Sequence, residues 1–335
     1  MITPQIGRRE FIAAVAGAAT GWSLAAHGQQ PAPMRRVSVL MALPDGDPGG
    51  RAEVDALTSG LRELGWVEGR NIHIEYRWPG GDVERARAYA KEAIALKPDL
   101  LIARSTPAAL ALKAETRTIP IVFVSVAEPT SSGLVEGLAR PGGNVTGFTN
   151  FEGSIGGKLL ELLKEVSPGL KRVAIIYNPD TAPYAQSYLH SAEAGATTLA
   201  VELRSNPIQS ETEIGPVLSA VAREPGGGLV VIPDTFLLQR RDMIVSLVDH
   251  HRLPAVYANR AWTRSGGLMA YAVDTSDLMR RAAGYVDRIL KGTSPGELPV
   301  QQPNKYEFSI NLKAAKALGL DVSTNLVALA DEVIE

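Results

Sequence analysis

The stretch Val37-Ser38-Val39-Leu40-Met41-Ala42-Leu43, followed by the loop Pro44-Asp45-Gly46-Asp47-Pro48-Gly49-Gly50, decides the fold class. Its first seven residues are of strand length and mostly apolar or β-branched, and the glycines and prolines after them end the strand. Residues 51–64 carry apolar side chains at helical spacing, and the alternating stretch Asn71–Trp78 predicts a second strand. A strand, a helix and a strand in this order predict a βαβ unit with parallel strands.

The same alternation continues and then starts again. The first unit is completed by a helix at 82–96, a strand Asp99–Arg104, a helix Thr106–Glu115 and a strand Ile119–Val126. A second series has helices at 154–166, 183–195, 210–223 and 238–251, and strands Asn144–Phe148, Arg172–Asn178, Leu199–Arg204, Gly228–Pro233, Pro254–Ala258 and Gly267–Val273. We therefore predict an α/β protein with two doubly wound, parallel-sheet lobes.

The last part of the chain adds a helix Asp277–Leu290, a strand Tyr306–Leu312 and a helix Ala314–Leu318. Because these elements follow both α/β units, we expect the chain to cross between the lobes again, and several crossings form a hinge. We assign residues 35–148 and the helix at 277–291 to the N-terminal lobe. Residues 149–273 and 303–335 form the predicted C-terminal lobe.

The N-terminus has the three parts of a secretory signal. Gly7-Arg8-Arg9-Glu10-Phe11-Ile12 is followed by the Ala- and Gly-rich stretch Ala13–Ala26 and by the small residue Gly28. The arginine pair resembles a twin-arginine signal. We predict an export signal peptide over residues 1–28, cleaved near Gly28, and a periplasmic protein. An amphipathic helix or a membrane anchor are the alternatives, but the apolar stretch is shorter than the roughly 20 residues that span a bilayer.

Composition excludes several classes of protein. Without residues 1–28 the formal net charge is −3, and no basic stripe is present, so we expect no nucleic-acid partner. The remaining chain of about 305 residues is long enough for two domains. The absence of cysteine excludes disulfides and thiolate metal sites, and the five histidines lack the spacing of metal ligands. We expect no metal and no cofactor.

Motifs of catalysis are missing as well. The sequence has no Gly-x-Ser-x-Gly, no His-Glu-x-x-His and no phosphate-binding Gly-x-x-x-x-Gly-Lys-Ser/Thr. The triplet Gly226-Gly227-Gly228 precedes a strand, and the loop Pro44–Gly50 carries two aspartates that would repel a pyrophosphate. We therefore predict a binding protein and not an enzyme.

Polar residues follow the predicted strands in both lobes. In open α/β sheets, ligands bind beyond the carboxyl ends of the strands. The candidate ligand-binding residues are therefore Asp45, Ser105, Thr106, Ser125, Thr149, Asn178, Asp234, Thr235, Asn259, Tyr271 and Asp274.

Several residues near the ends of the predicted strands have both a structural and a functional interpretation. Thr106, with Pro107 after it, is predicted to cap a helix whose free N–H groups could also bind a carboxylate. Asp234 could hold a ligand ammonium or cap the helix beginning near Leu237. Three tyrosines could line an apolar pocket or belong to the rim of the core: Tyr177, Tyr257 and Tyr271.

An ordered set of motifs extends over nearly all of residues 35–335. The motifs are Gly65–Gly69, Ala139–Gly147, Asn178-Pro179, Gly266–Tyr271, Tyr285–Gly292, Glu297–Pro303, Asn311–Gly319 and Asp331–Glu335. In these motifs the chain resembles the ABC-transporter substrate-binding protein family that includes tryptophan- and aromatic amino-acid-binding proteins, of the type I periplasmic binding protein fold.

The resemblance implies two lobes with a ligand between them, three crossings of the chain, and delivery of the solute to a membrane permease with its ATPase. It also implies that hydroxyls and N–H groups of the first lobe hold the carboxylate of an amino acid and that an acidic residue of the second holds the ammonium. Ser105, Thr106 and Asp234 occupy the matching places. Many relatives carry Tyr-Gly where this chain has Tyr271-Ala272, so the resemblance leaves the identity of the solute open.

We therefore expect a monomer that captures a small carboxylate-bearing solute, an amino acid or an aromatic acid, for an ABC importer. A ligand sensor for a membrane signalling protein and an exported two-domain α/β enzyme are the alternatives. A repressor core of the same fold would need a DNA-binding domain before residue 35, where the signal peptide is predicted.

Overall fold

The computed structural model describes residues 34–150 and 154–335 and shows two α/β lobes. The predicted signal peptide at residues 1–28 lies outside these described residues. None of the helices in the described part of the chain combines the length and the apolar character needed to cross a membrane.

The first lobe contains a five-stranded parallel sheet in the order β2-β1-β3-β4-β5. Its strands are β1 (Arg35–Leu40), β2 (Ile72–Arg77), β3 (Leu100–Arg104), β4 (Ile121–Val126) and β5 (Val145–Thr149), and its helices are α1 (Pro48–Glu63), α2 (Val83–Ala95) and α3 (Thr106–Glu115). Every residue of β3 and β4 is buried because helices cover both faces of the sheet. Alternating side chains of β3 accordingly belong to two different clusters of the core, with Ile102 in one and Leu101 in the other.

The second lobe contains a seven-stranded sheet in the order β12-β11-β10-β9-β8-β6-β7. The strands are β6 (Arg172–Tyr177), β7 (Glu202–Pro207), β8 (Gly227–Val231), β9 (Ala255–Tyr257), β10 (Met269–Val273), β11 (Tyr306–Asn311) and β12 (Glu332–Ile334). All of the neighbouring strands are parallel except β10 and β11, so this sheet is mixed and not wholly parallel.

The helices that follow β5 along the chain are α4 (Ile155–Val166), α5 (Ala185–Leu199), α6 (Glu211–Ala222), α7 (Thr235–Gln239), α8 (Arg241–His250), α9 (Ala261–Arg264), α10 (Thr275–Leu290), α11 (Leu312–Leu318) and α12 (Thr324–Ala328), with a 3₁₀ turn at Pro295–Glu297. The strand predicted at 199–204 begins three residues later, at Glu202. The helix α5 continues to Leu199, and its C-cap Ala200 has the left-handed conformation. The helix predicted at 238–251 is interrupted at Arg240.

The chain crosses between the lobes three times. It passes from β5 of the first sheet to α4 and β6 of the second, and then from β10 to α10, which packs against α1 of the first lobe. Gly60 allows this close packing, because a methyl group there would lie 2.8 Å from the carbonyl oxygen of Arg280. The third crossing follows Gln301, whose carbonyl accepts a hydrogen bond from the Thr149 N–H at 2.8 Å, and leads into β11.

The two lobes also touch each other outside the crossings. Leu43, in the loop after β1, belongs to the same buried cluster as Leu237 and Leu238 of the second lobe. The side-chain amide of Gln239 donates to the carbonyl oxygen of Ala42 at 3.4 Å. Gly81 of the first lobe approaches α7 so closely that a methyl group there would lie 2.7 Å from the Thr235 carbonyl oxygen. The two lobes are therefore in direct contact with each other outside the crossings.

Candidate functional site

A cavity lies between the lobes, at the carboxyl ends of strands from both sheets. The lining includes seven of the residues that the sequence singled out: Ser105, Thr106, Ser125, Asp234, Thr235, Asn259 and Tyr271. The first three belong to the first lobe, and Asp234, Thr235 and Asn259 follow strands of the second. Parallel strands bring their carboxyl ends to one edge of a sheet, which explains why residues far apart in sequence meet here.

The beginning of α3 forms one wall of the cavity. The predicted cap at Thr106 is wrong: Ser105 is the N-cap, and its Oγ accepts from the Ala108 N–H at 3.4 Å. Thr106 is instead the first helical residue, and its Oγ1 accepts from the Ala127 N–H at 3.3 Å. The N-terminus of α3 still faces the cavity after this correction by one residue, and it carries the partial positive charge of the helix dipole.

Two residues of this wall hold backbone conformations that cost energy. Ser105 has φ of 137° and Ser125 has φ of 58°, in the region that residues other than glycine rarely adopt. Ser105 directly follows β3, and Ser125 is the last residue but one of the neighbouring strand β4. Such strain persists where the surrounding structure imposes it, and it clusters at binding sites.

Asp234 lies on the other side of the cavity, in the second lobe. Its Oδ1 accepts from the Leu237 N–H at 3.0 Å and from the Thr181 hydroxyl at 2.8 Å, and its Oδ2 accepts from the Asn178 N–H. Burial raises the pKa of this carboxyl, although the hydrogen bonds oppose the shift. None of the described cations forms an ion pair with Asp234. Asp234 therefore caps α7, and no cation of the described chain pairs with its carboxyl group.

Four predicted site residues do not line the cavity. Asn178 lies behind Asp234, and its Oδ1 accepts from the Thr181 N–H at 3.2 Å. Asp45 lies in a separate surface depression beside Arg77 and Trp78. Thr149 is buried at the first crossing, and Asp274 caps α10 at the second, where its Oδ2 accepts from Lys305 Nζ at 2.6 Å.

Aromatic rings form much of the remaining wall. Of the three tyrosines considered from the sequence, only Tyr271 lines the cavity, together with Tyr184, Tyr188 and Trp262. Tyr257 lies behind Trp262, with the two rings stacked at a centroid distance of 4.7 Å. The Tyr177 hydroxyl is 3.1 Å from Ser205 Oγ.

Three of the aromatic residues at the cavity, Tyr184, Tyr188 and Trp262, were not predicted from the sequence, for two reasons. Tyr184 and Tyr188 lie at or near the start of α5, and their spacing of four residues on a helix could have indicated a shared face. Trp262 lies on α9, a helix of only four residues that has no periodic signal.

A buried ion pair completes the first-lobe wall and was also missed. Arg104, the last residue of β3, donates from Nε to Glu53 Oε2 at 2.8 Å and from Nη2 to Oε1 at 2.7 Å. The side chains are only 7% and 4% exposed. Arg104 borders the cavity, whereas Glu53 comes from α1 behind it.

Two buried polar atoms at the cavity have no hydrogen-bond partner among the described residues: Asn150 Oδ1 and Thr235 Oγ1. Buried polar atoms are nearly always paired, so these two indicate positions where a ligand or water completes the site. Ala272 has an ordinary strand backbone and needs no conformation reserved for glycine. Within residues 34–150 and 154–335, no cluster of three or more metal-ligating side chains is found.

Nearly all of the described chain matches one family model, and a curated protein is similar to most of it. Residues 37–334 match the model of the ABC transporter substrate binding protein family. A tyrosine-binding protein from Clostridioides difficile is 28% identical over 260 residues, which are 78% of this chain and 74% of that protein.

Two solved structures share the fold over nearly their whole length. A conserved domain protein from Vibrio cholerae is 27% identical, with a TM-score of 0.83 over 90% of this chain and 99% of that one. An ABC domain in complex with L-Trp from Streptococcus pneumonia is 23% identical, with a TM-score of 0.82 over 90% of this chain and 100% of that one. The expected fold, with two lobes as in periplasmic binding proteins, is thereby confirmed. Since the family model extends over almost every described residue, the chain belongs to the ABC transporter substrate-binding protein family.

Proposed function

We propose that this protein is the extracytoplasmic solute-binding subunit of an ABC importer and that it captures an aromatic amino acid between its lobes. The observation that carries the proposal is the buried carboxylate of Asp234, which lacks a balancing cation in the described chain and borders the same cavity as the N-terminus of α3. A zwitterionic amino acid supplies a charge for each of these two groups.

The ammonium group of the ligand would lie at Asp234, whose carboxylate could form a charge-assisted hydrogen bond with it. The carboxylate would lie at the first-lobe wall, near Ser105 and Thr106. The unpaired oxygens of Asn150 and Thr235 are further candidates for ligand contact.

The rings of Tyr184, Tyr188, Trp262 and Tyr271 support an aromatic side chain, because stacked or tilted rings attract each other beyond the burial of their area. The name of the Clostridioides difficile relative, a tyrosine-binding protein, supports the same class of ligand.

The proposal includes the way in which the solute enters and leaves. The N-terminal lobe, at 35–148 with the helix at 277–291, and the C-terminal lobe, at 149–273 with 303–335, would open by bending at the three crossings. A monomer would then close on the solute and deliver it unchanged to a membrane permease driven by a separate ATPase. The twin-arginine-like sequence at residues 1–28 supports export to the periplasm.

A ligand screen by thermal unfolding tests the proposal. The full chain is heated with aromatic amino acids, other amino acids, aromatic acids without an amino group, and sugars. Aromatic amino acids should raise the melting temperature most, since a ligand at 100 times its Kd adds about 2.7 kcal/mol to the free energy of unfolding. The bound solute should be recovered chemically unchanged. Stabilisation by sugars alone, or conversion of the solute, would contradict the proposal.

A further inference from the structure

We propose that Arg104 contacts the carboxylate of the captured amino acid and thereby selects ligands with a free carboxylate. This inference rests on the proposed function. In the proposed function, hydroxyls and N–H groups at the start of α3 bind the ligand carboxylate, and Arg104 would add a charged contact to the same carboxylate.

The hydrogen bonds of Arg104 hold its guanidinium in one orientation. Glu53 accepts from Nε and Nη2, which together form one edge of the planar group. Among the described residues, Nη1 makes no hydrogen bond, although Arg104 is only 6% exposed. An arginine uses up to five N–H donors, and a buried one with donors to spare can bind a second carboxylate beside the first.

The position of Arg104 relative to Asp234 fits a zwitterion. Arg104 borders the cavity from the first lobe and Asp234 from the second, and they do not form an ion pair with each other. Tyr184 lines the same cavity as both residues. Burial raises the pKa of its phenol most, the charge of Asp234 raises it further, and the charge of Arg104 lowers it. A ligand that bridges the two walls would place its negative group at Arg104 and its positive group at Asp234.

A purely structural role for the pair is the competing explanation. Glu53 and Arg104 join α1 to the end of β3, and removal of one partner leaves a buried charge that destabilises a protein by itself. Loss of affinity in Arg104→Met alone would therefore not separate the two roles. The double variant Glu53→Gln/Arg104→Met leaves no unpaired charge, and a comparison of two ligands separates recognition from folding.

The experiment measures the binding of L-tryptophan and L-tryptophanamide to the full chain by calorimetry, at a slightly acidic pH where both ligands carry an ammonium group. The amide has the same ring and ammonium but no carboxylate. The control is Arg280→Met, which removes an exposed arginine that pairs with Glu63 of α1 at 2.6 Å.

For the double variant we expect the affinity for L-tryptophan to fall by about 10- to 100-fold, the range of a hydrogen bond to a charged group. Its affinity for the amide should stay within about 2-fold of the unsubstituted protein, and Arg280→Met should change neither affinity by more than about 2-fold. Unchanged binding of L-tryptophan by a folded double variant, or equal losses for both ligands, would overturn the role of Arg104. Failure of the unsubstituted protein to bind any aromatic amino acid would instead contradict the proposed function, and this inference with it.

Discussion

Asp47 of the first lobe and Arg241 of the second form an ion pair across the cleft, with Oδ2 of Asp47 2.8 Å from Nη2 of Arg241. Asp47 also caps α1, because its Oδ1 accepts from the N–H groups of Gly49 and Gly50 at 2.8 and 3.3 Å. Arg241 begins α8, which follows α7 and its cap Asp234. The ion pair therefore joins the two lobes next to the segment proposed to hold the ligand.

Breaking this ion pair should weaken binding without altering the cavity. We expect Asp47→Asn, which keeps an oxygen for the helix cap, and Arg241→Gln each to lower ligand affinity by about 2- to 10-fold, because a partly buried pair contributes about 0.5–1.5 kcal/mol to the closed form. In a double-mutant cycle the second substitution should add little to the first.

Glu211→Gln is the matched control, since it removes an exposed pair with Arg240 that lies within the second lobe. The affinity of the Glu211→Gln variant for the ligand should equal that of the unsubstituted protein. Fully additive losses for Asp47 and Arg241, measured by titration calorimetry, would show that the two residues act separately.

Ligand affinity should depend on pH through Asp234. Burial raises the pKa of this carboxyl above its ordinary value of 3.8, and a ligand ammonium favours the ionised form. Affinity should therefore fall as the pH falls through the raised pKa. In the unliganded protein the sign is opposite: the native state holds the proton more firmly than the unfolded chain, so stability decreases as the pH rises through the same range.

The variant Asp234→Asn checks this assignment. It should bind an aromatic amino acid about 10- to 100-fold more weakly at neutral pH, the range of a charged hydrogen bond. Titrations from neutral pH downwards should also show that the variant has lost the pH dependence. An affinity for Asp234→Asn equal to that of the unsubstituted protein at neutral pH would remove Asp234 from the binding site.

The ion pair of Asp274 with Lys305 joins the second and third crossings. Burial alone would raise the pKa of Asp274, but hydrogen bonds from Lys305 and from the Asp277 N–H, with the nearby positive charges, lower it below 3.8. The pKa of Lys305 is raised above 10.5 by the same pair. The stabilisation is therefore present from mildly acidic to mildly alkaline pH, and it is lost as Asp274 is protonated in strong acid or as Lys305 loses its proton in strong base.

Lys305→Met should lower the free energy of unfolding by about 0.5–1 kcal/mol at neutral pH, a modest effect because the lysine is 56% exposed. The difference from the unsubstituted protein should shrink below pH 3.8, where Asp274 takes up its proton. Urea unfolding at several pH values measures this difference. A difference that stays constant into strong acid would exclude the ion pair as its cause.

Two helical glycines should respond in opposite ways to alanine. A methyl group at Gly156 of α4 would lie 2.4 Å from the carbonyl oxygen of Tyr188, whereas Gly284 of α10 has no atom within 4 Å of that position. Gly156→Ala should cost about 1–3 kcal/mol of stability and move Tyr188 at the cavity wall. Gly284→Ala should add about 0.5–1 kcal/mol, because alanine favours a helix. Thermal unfolding compares the two variants directly, and a stabilised Gly156→Ala would contradict the close packing of α4 on α5.

The two lobes were predictable because buried parallel strands are continuous apolar runs, of which β3 and β4 are examples. Asp234 and Ser105 were predictable for a related reason, since residues directly after such strands lie at the binding edge of the sheet. Asp45 follows a strand too, but the loop after β1 places it in another depression. Loop conformation depends on tertiary contacts, such as that of Leu43 with the second lobe, which the local sequence does not encode.

The rest of the site comes from residues whose neighbours are distant in sequence. In the sequence, Arg104 is recognisable only as the last residue of an apolar strand. Its partner Glu53 becomes apparent only from the packing of α1 against the first sheet. Tyr184 reaches the cavity because its hydroxyl donates to the Pro233 carbonyl at 2.6 Å, a contact across 49 residues of chain. Such contacts have no periodic signal.

The most direct test of the account is calorimetric titration of the full chain with L-tryptophan and L-tyrosine at neutral pH. We expect saturable binding of at least one of the two, with one molecule per chain, and strongly weakened binding in Asp234→Asn. Absence of binding of both amino acids by the folded, unsubstituted protein would contradict the claim that the cavity between the lobes captures an aromatic amino acid.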